Sequence, residues 1–211
     1  MTAIIFDLDG TLLDSLNDLG NAMNRTLEQH GYKTHPMSSY KTFVGNGLYK
    51  LCQRALGQEQ DNREAVFADF LENYGSIESV AKVYPNVIDT LKTLNQLEIP
   101  IAIHTNKMQR FTDDIITHFF QDIDFTKVVG DLEDDKRKPD PHHTLEIVKS
   151  FPGNISKVFF VGDSDVDMFT GVNAGLIPVG VSWGFRSVEQ LNGAGAAHII
   201  NDMKELLDVI K

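Results

Sequence analysis

The chain has 211 residues, of which 42% are hydrophobic and 23% are charged, a composition typical of a soluble globular protein. Thirty acidic residues against nineteen basic ones give a formal charge of −11, which excludes the broad basic surface that a nucleic acid polymer needs. The single cysteine, Cys52, excludes an intramolecular disulfide, and no apolar run reaches the roughly 20 residues of a membrane span.

Short apolar runs alternate with helical patterns along most of the chain. Because the runs lack a two-residue alternation, they predict strands buried on both faces, as in a parallel sheet covered by helices. This order of elements predicts an α/β doubly wound, Rossmann-like core. The predicted strands are residues 3–6, 99–104, 127–129, 157–161, 177–181 and 197–200, and the predicted core helices are 87–97, 109–119, 141–150, 165–173 and 203–210.

One long stretch interrupts this alternation. From residue 15 to residue 81 the patterns are helical, and Leu16, Leu19 and Met23, for example, recur at helical spacing. We predict a catalytic core of residues 1–14 and 82–211 and a small all-helical domain of residues 15–81, inserted after the first strand as a cap over its carboxyl end. The alternative is that these helices pack directly on the sheet.

The first group of candidate catalytic residues follows the first predicted strand, in the motif Asp7-Leu8-Asp9-Gly10-Thr11. Open α/β sheets bind ligands beyond the carboxyl ends of their strands. Two carboxylates one residue apart, followed by a turn at Gly10, can direct oxygen ligands at a single ion, and such ligands suit Mg²⁺. A calcium loop is excluded because Thr11 stands at its third acidic position and a strand precedes the motif. Taken alone, the motif is also compatible with a structural pair of aspartates.

A second acidic group, Asp163, Asp165 and Asp167, follows the predicted strand of residues 157–161. Three carboxylates within five residues repel one another unless a cation or a hydrogen-bond donor neutralises them. Asp163 is placed to share a metal ion with Asp7. Asp167 lies one helical turn further on the same side and is predicted to support that metal indirectly, while Asp165 is predicted to cap the next helix.

Two weaker signals lie between the acidic groups. Thr105 and Asn106 follow a predicted strand, and a hydroxyl with backbone N–H groups can bind a phosphoryl oxygen there, although Thr-Asn is also a common turn. Lys138 precedes Asp140 and Pro141, a predicted N-cap and first helical residue, so it is held just before a helix. The alternative for Lys138 is a solvated basic cluster. Each of the two weaker groups has a simple structural explanation when taken alone. All four groups in this order along the chain are together a specific signature of a catalytic site.

At this point the sequence resembles the haloacid dehalogenase-like hydrolase superfamily over essentially its whole length, with the helical insert corresponding to the family's cap. The resemblance implies that Asp7 is a nucleophile that becomes phosphorylated during turnover. It implies that Asp9 is the general acid/base and lends its backbone carbonyl to Mg²⁺, with Asp7 and Asp163 as carboxylate ligands. It also implies that Thr105 and Lys138 hold the phosphoryl group.

Two further segments are similar to the phosphoglycolate phosphatase-like subfamily. In the first, Phe43-Val44-Gly45-Asn46-Gly47-Leu48, the backbone N–H groups of Gly45, Asn46 and Gly47 are predicted to meet a carboxylate or phosphate of the substrate. A simple turn between two helices is the alternative. The second segment, residues 180–186, contains Trp183 and has no predicted role.

The motifs and the resemblance together predict a Mg²⁺-dependent phosphatase that hydrolyses a small phosphomonoester through an aspartyl phosphate, similar to phosphoglycolate phosphatase. The alternatives are a phosphotransferase such as β-phosphoglucomutase, a pyrophosphatase or a nucleotidase on the same core, and a phospho-receiver signalling domain. The expected partner is a small phosphorylated metabolite, not a nucleic acid or a membrane, and both a monomer and a homodimer are compatible with the sequence. No secretory pattern precedes the first strand, so we expect a cytoplasmic protein.

Overall fold

Six parallel strands form the main sheet in the computed structural model, which describes residues 1–57, 62–76 and 79–211. Their order across the sheet is β5-β4-β1-β6-β7-β8, and a separate two-stranded ribbon pairs β2 with β3. The strands are β1 (Thr2–Phe6), β2 (Leu13–Asp14), β3 (Lys82–Val83), β4 (Ile101–Met108), β5 (Lys127–Asp131), β6 (Lys157–Gly162), β7 (Ile177–Val181) and β8 (His198–Ile200). The predicted α/β fold with a parallel sheet is confirmed.

The described helices cover both faces of the sheet and form the insert. They are α1 (Leu16–Gln29), α2 (Met37–Phe43), α3 (Leu48–Leu56), α4 (Arg63–Ser76), α5 (Val87–Gln96), α6 (Gln109–Phe119), α7 (His142–Ser150), α8 (Asp165–Asn173), α9 (Val188–Gly193) and α10 (Leu206–Val209), with a 3₁₀ turn at Met203–Glu205 before the last. Among the described residues, no helix combines the length and the apolar character that crossing a bilayer requires.

The central strand β1 is packed on both faces, which explains why its apolar run lacks a two-residue alternation. Ile4 and Phe6 join Leu91 of α5 in one buried cluster, whereas Ile5 joins Ile147 of α7 in a cluster on the other face. Both faces of β1 are therefore covered, and every position from the second onward is buried.

The register of β1 with its neighbours places the carboxyl ends of three strands side by side. Phe6 pairs with Ile103 of β4 on one side and with Val161 of β6 on the other. The residues that follow Phe6 and Val161, together with the last residues of β4, consequently meet at one edge of the sheet.

Helices α1–α4 occupy the stretch that was expected to be helical, and they form most of a second hydrophobic cluster, to which Phe111 of α6 also belongs. Met23, Tyr40, Cys52 and Phe70 are all fully buried there. Cys52 thus fills part of this core, and burial raises the pKa of its thiol to about 11, which keeps it protonated and unreactive. Residues 58–61 and 77–78 of the predicted insert lie outside the described residues.

Several predicted boundaries were wrong. The strand expected at residues 99–104 is Ile101–Met108, because it continues beside β5 after an irregularity in register. The ribbon of β2 and β3 and the short helix α9 were missed, because two-residue strands and a six-residue helix carry little periodicity. The ribbon lies at both ends of the helical insert, since Asp14 pairs with Lys82.

Candidate active site

Asp7 lies directly after β1 at the centre of the site. One of its carboxylate oxygens, Oδ1, accepts a hydrogen bond from Lys138 Nζ at 2.7 Å, and the same ammonium group donates to Asp167 Oδ1 at 2.7 Å. All three side chains are buried. Lys138 is therefore not a solvated basic residue. It is a fixed cation in the loop before α7, shared by the carboxylates of Asp7, which follows β1, and Asp167, in the first turn of α8.

Three buried carboxylates converge beside this lysine. Asp7, Asp163 and Asp167 each offer a carboxylate oxygen, and these oxygens lie within 4.8 Å of one another. The Thr11 hydroxyl lies 3.5 Å from Asp7 Oδ2 and from Asp163 Oδ1, so its one proton can serve either carboxylate. Because Lys138 compensates one of three negative charges, the group carries excess negative charge in a low-dielectric setting.

The pKa shifts reflect this unbalanced charge. Burial, followed by the Asp167 carboxylate, raises the pKa of Asp7 to about 7, although Lys138 acts in the opposite direction. Burial also raises the pKa of Asp163 well above its usual range, with Asp167 and Asp7 adding to the effect. The carboxylates hold the pKa of Lys138 above its ordinary value despite its burial, so it stays cationic.

These donors fit a hard divalent cation. Carboxylate oxygens are the ligands that Mg²⁺ prefers, and one or two of them suffice because this ion keeps several waters. A bound divalent cation would also remove the repulsion that raises the pKa of Asp7 and Asp163.

Hydrogen bonds from Ser164 orient Asp167, and a hydrogen bond from the more distant Phe185 orients Asp163. Ser164 is the N-cap of α8 in a reciprocal capping box, in which Asp167 Oδ2 accepts from the backbone N–H (3.0 Å) and the hydroxyl (2.6 Å) of Ser164. Asp163 Oδ2 accepts from the backbone N–H of Phe185 at 2.7 Å. The capping role expected for Asp165 therefore belongs to Ser164.

Gly10 lets the first motif turn close to these carboxylates. Its φ is +90°, and a Cβ at this position would lie 2.5 Å from Asp163 Oδ2 and 2.7 Å from the Phe185 ring. A side chain here would strain the backbone and displace Asp163, so the turn after Asp9 requires glycine.

Asp9 points to a different set of partners. Lys107 Nζ donates to Asp9 Oδ1 and Oδ2, both at 3.1 Å, and Ser15 Oγ donates to Oδ1 at 2.5 Å. The Lys107 side chain is fully buried, and its ammonium group also donates to the Tyr74 hydroxyl of α4 at 2.6 Å. The Asp9 carboxylate and the helical insert are thereby joined through one cation.

Asn106 connects the insert to the lysine of the site. Its side-chain amide donates to the backbone carbonyls of Gly45 at 3.2 Å and Lys138 at 3.1 Å. Its oxygen Oδ1 is buried and has no hydrogen-bond partner within the described part of the chain. Thr105 Oγ1 accepts from the backbone N–H of Lys107 at 3.3 Å, which leaves its own proton free to be donated.

A small cavity of about 40 Å³ lies between the sheet edge and the insert. Leu19, Val44, Leu48, Leu51 and Phe185 form its apolar part. Its polar lining contains most of the site residues predicted from the sequence, namely Asp7, Asp9, Thr105, Asn106, Lys138, Asp163 and Asp167, with Gly45 and Gly47 of the insert. Asn46 instead turns its side chain to Arg54, whose Nη2 donates to Asn46 Oδ1 at 2.7 Å.

Comparison with known proteins agrees with this geometry. A family model described as haloacid dehalogenase-like hydrolase matches residues 4–181. The chain belongs to this family. Proteins named phosphoglycolate phosphatase from Psychrobacter arcticus and Vibrio cholerae are each 32% identical to it, over 98% of this chain and 94% and 96% of theirs. The crystal structure of a predicted phosphoglycolate phosphatase from Haemophilus somnus superposes with a TM-score of 0.89 at 28% identity, covering 99% of this chain and 97% of that one.

The chain is thus a phosphatase of the haloacid dehalogenase-like hydrolases, and its site includes residues that sequence reasoning missed. Lys107 directly follows Asn106 in the sequence, but no periodicity or spacing linked it to Asp9. Phe185 and Ser15 were missed as partners of Asp163 and Asp9. Since these contacts join residues far apart in the chain or on opposite sides of a turn, the local pattern carried no signal for them.

The predicted start of the helix after Lys138 was wrong in this hydrolase. Helix α7 begins at His142, one residue later than predicted, and Asp140 Oδ1 accepts from the backbone N–H of His142 at 2.8 Å. His143 in the first turn of α7 is buried, because its ring lies between Asp134 and Glu146 and edge-on to His104. His104 is also buried, and its Nδ1 lies 2.8 Å from Thr144 Oγ1.

Proposed function

We propose that this hydrolase is Mg²⁺-dependent and cleaves a small phosphomonoester through an aspartyl phosphate formed on Asp7. The observation that carries the proposal is the position of the Asp7 carboxylate, which ends the central strand, borders the cavity and contacts a buried lysine and two further carboxylate residues. A group placed in this way combines a nucleophilic oxygen with a cationic site for the phosphoryl group.

In the first step, an Asp7 oxygen attacks phosphorus, and the bond between phosphorus and the ester oxygen breaks. The Asp9 carboxyl group gives its proton to the leaving alkoxide. In the second step, Asp9 takes a proton from water, which attacks phosphorus and releases inorganic phosphate from Asp7. Proton transfer of this kind contributes roughly 10²–10⁴-fold to the rate.

Lys138 and Thr105 are the residues that we expect to hold the phosphoryl oxygens during both steps, because one is a fixed cation and the other keeps a free hydroxyl proton. Asp7, Asp163 and the backbone carbonyl of Asp9 would hold the Mg²⁺ ion. When bound, the ion supplies the positive charge that offsets repulsion between the Asp7 carboxylate and a phosphate dianion.

The cavity supports a leaving group of few atoms. A volume of about 40 Å³ holds a few water-sized groups, given that one water needs roughly 10–15 Å³ on this measure, and the phosphoryl group must share this space with the leaving group. A two-carbon acid such as glycolate fits this limit better than a hexose or a nucleoside. The names of the relatives point to the same substrate, phosphoglycolate.

Residues 15–81 are, in this proposal, a cap domain that closes over the core domain of residues 1–14 and 82–211. The hydrophobic cluster formed mostly by α1–α4, the ribbon at the two ends of this stretch and the cavity beneath Gly45 and Gly47 support this division. A ribbon of two residues per strand can act as a hinge, because it offers few contacts to resist rotation.

A Mg²⁺-supported screen of phosphoglycolate, pyrophosphate, hexose phosphates and nucleoside monophosphates, compared by kcat/KM, tests the substrate class. Phosphoglycolate is expected to rank first. Transfer of the phosphoryl group to a sugar instead of water would favour the phosphotransferase alternative, and a preference for pyrophosphate would favour the pyrophosphatase.

The Asp7→Asn variant tests the nucleophile with p-nitrophenyl phosphate as substrate. We expect activity below about 1% of wild type, since an amide cannot form the acyl phosphate. Asp89→Asn, an equal charge change on the exposed face of α5, is the matched control. Retention of more than a few per cent of activity by Asp7→Asn, with the control unchanged, would contradict the assignment.

A further inference from the structure

The segment Trp183-Gly184-Phe185-Arg186 follows β7 and has no role in the proposed chemistry. We call it the 183–186 segment. It contacts the acidic group on one side and the helical insert on the other, so it lies between the two parts of the molecule whose cooperation the reaction needs.

On the core side, the segment is packed tightly against Asp163. The Phe185 backbone N–H donates to Asp163 Oδ2 at 2.7 Å, and a Cβ added at Gly184 would overlap the Asp163 side chain. The Trp183 indole N–H donates to the backbone carbonyl of Thr11 at 3.1 Å. Thr11 also contacts Asp163. A change in the position of the Asp163 carboxylate would therefore displace the segment.

On the insert side, Arg186 binds the backbone that precedes the glycine loop. Its Nη1 donates to the carbonyl of Lys41 at 2.6 Å, and its Nη2 donates to the carbonyl of Val44 at 3.0 Å. Its Nε faces Asp165 Oδ1 at 3.3 Å, which orients the guanidinium group from the core. The Phe185 side chain packs against the hydrophobic cluster of the insert.

Of the two carbonyls that Arg186 binds, that of Val44 lies immediately before Gly45, which forms part of the cavity wall, and that of Lys41 lies three residues earlier. Two charge-assisted hydrogen bonds in the fixed fork of one guanidinium group therefore hold this wall against the core. The strength of these hydrogen bonds depends on the position of the 183–186 segment. That position depends in turn on the Asp163 carboxylate, against which the segment packs.

We propose that the 183–186 segment couples ligand occupancy at Asp163 to closure of the insert, and that Arg186 is the positioning residue that transmits this coupling. The proposal rests on the proposed function in one respect, namely that Asp163 is a metal ligand. A site filled with a cation orders Asp163 and the segment, and Arg186 then stabilises the closed position of residues 41–47. Ligand affinity increases with the fraction of molecules that are closed.

Amide hydrogen exchange of residues 41–48 tests the coupling without relying on turnover. The comparison uses wild type, Arg186→Gln, Arg186→Lys and the control Arg25→Gln, which makes the same charge change on the exposed face of α1. Each protein is measured alone and with Mg²⁺ plus inorganic phosphate. We expect the ligands to slow exchange about fivefold or more in wild type and in Arg25→Gln, and less than about twofold in Arg186→Gln.

Arg186→Lys should recover part of the protection, because an ammonium group keeps the charge but cannot donate to both carbonyls in the same geometry. Equal protection in wild type and Arg186→Gln would overturn the proposal, as would the absence of any ligand effect in wild type. Circular dichroism and the melting temperature establish that each variant is folded.

Steady-state kinetics separate this inference from the proposed function. Arg186→Gln is expected to raise KM for phosphoglycolate about tenfold and to lower kcat less than about threefold, because the chemical groups themselves are intact. A wild type that hydrolyses phosphoglycolate while showing exchange that is independent of Arg186 would refute the coupling alone. A wild type without phosphatase activity, but with Arg186-dependent protection, would refute the proposed function and leave the coupling standing.

Discussion

Lys107 Nζ lies 3.1 Å from each carboxylate oxygen of Asp9, and this partly buried ion pair joins two residues that are 98 positions apart. The same ammonium group donates to the Tyr74 hydroxyl of α4 and lies 4.9 Å from the centre of its ring. Asp9, the proposed acid/base, is therefore oriented by a cation that also touches the helical insert.

Replacing Lys107 with Met should lower kcat for phosphoglycolate by about 10–100-fold, because Asp9 loses the partner that orients it for proton transfer. The loss should be smaller for p-nitrophenyl phosphate, whose leaving group needs little protonation. The measurement is kcat and kcat/KM on both substrates. Lys92→Met, at an exposed ion pair on α5, is the control. Equal losses on the two substrates would contradict a role through Asp9.

Replacing Gly184 with Ala should lower the free energy of unfolding by about 1–3 kcal/mol, since the new methyl group overlaps Asp163 and forces the segment away. It should also weaken Mg²⁺ binding. Gly193→Ala is the matched control, because a Cβ there meets nothing within 4 Å. Chemical denaturation measures stability, and isothermal titration calorimetry measures Mg²⁺ affinity. Unchanged affinity in Gly184→Ala would show that Asp163 does not depend on this glycine.

Replacing Asp163 with Asn should raise the melting temperature in the absence of Mg²⁺ and reduce the stabilisation that Mg²⁺ provides. In the folded state, burial and nearby carboxylates raise the pKa of Asp163, so its ionised form destabilises the metal-free protein at neutral pH. The variant should thus melt higher than wild type in a chelator, by about 2–4 °C for each kcal/mol relieved. It should lose most of the Mg²⁺-induced rise in melting temperature. A full Mg²⁺ response in this variant would remove Asp163 from the metal site.

Stability should fall in mild acid partly through His104. Burial, with Lys138 and His143 nearby, holds the pKa of His104 well below its ordinary value. The unfolded chain therefore binds the proton first as the pH falls below about 6.5, and the free energy of unfolding decreases by at most about 1.4 kcal/mol per pH unit. His104→Gln should show a shallower decrease between pH 6.5 and 5 than wild type. His198→Gln, at an exposed histidine, should show the wild-type slope.

The sequence by itself determined the main sheet, the helical character of the insert and most of the polar residues at the cavity. Buried strands and acidic turns are local features, so Asp7, Asp9 and Asp163 could be placed at strand ends from neighbouring residues alone. Parallel pairing then requires such ends to meet at one edge, which the register of β1 with β4 and β6 confirms.

Tertiary structure decided which side chains contact one another across that edge. Lys107 reaches Asp9, Phe185 reaches Asp163, and Arg186 reaches the carbonyl groups of Lys41 and Val44. These contacts depend on how far the insert folds down over the sheet and on the path of the chain after β7. Neither has a periodic signature, because a hydrogen bond between distant residues imposes no spacing on the residues beside them.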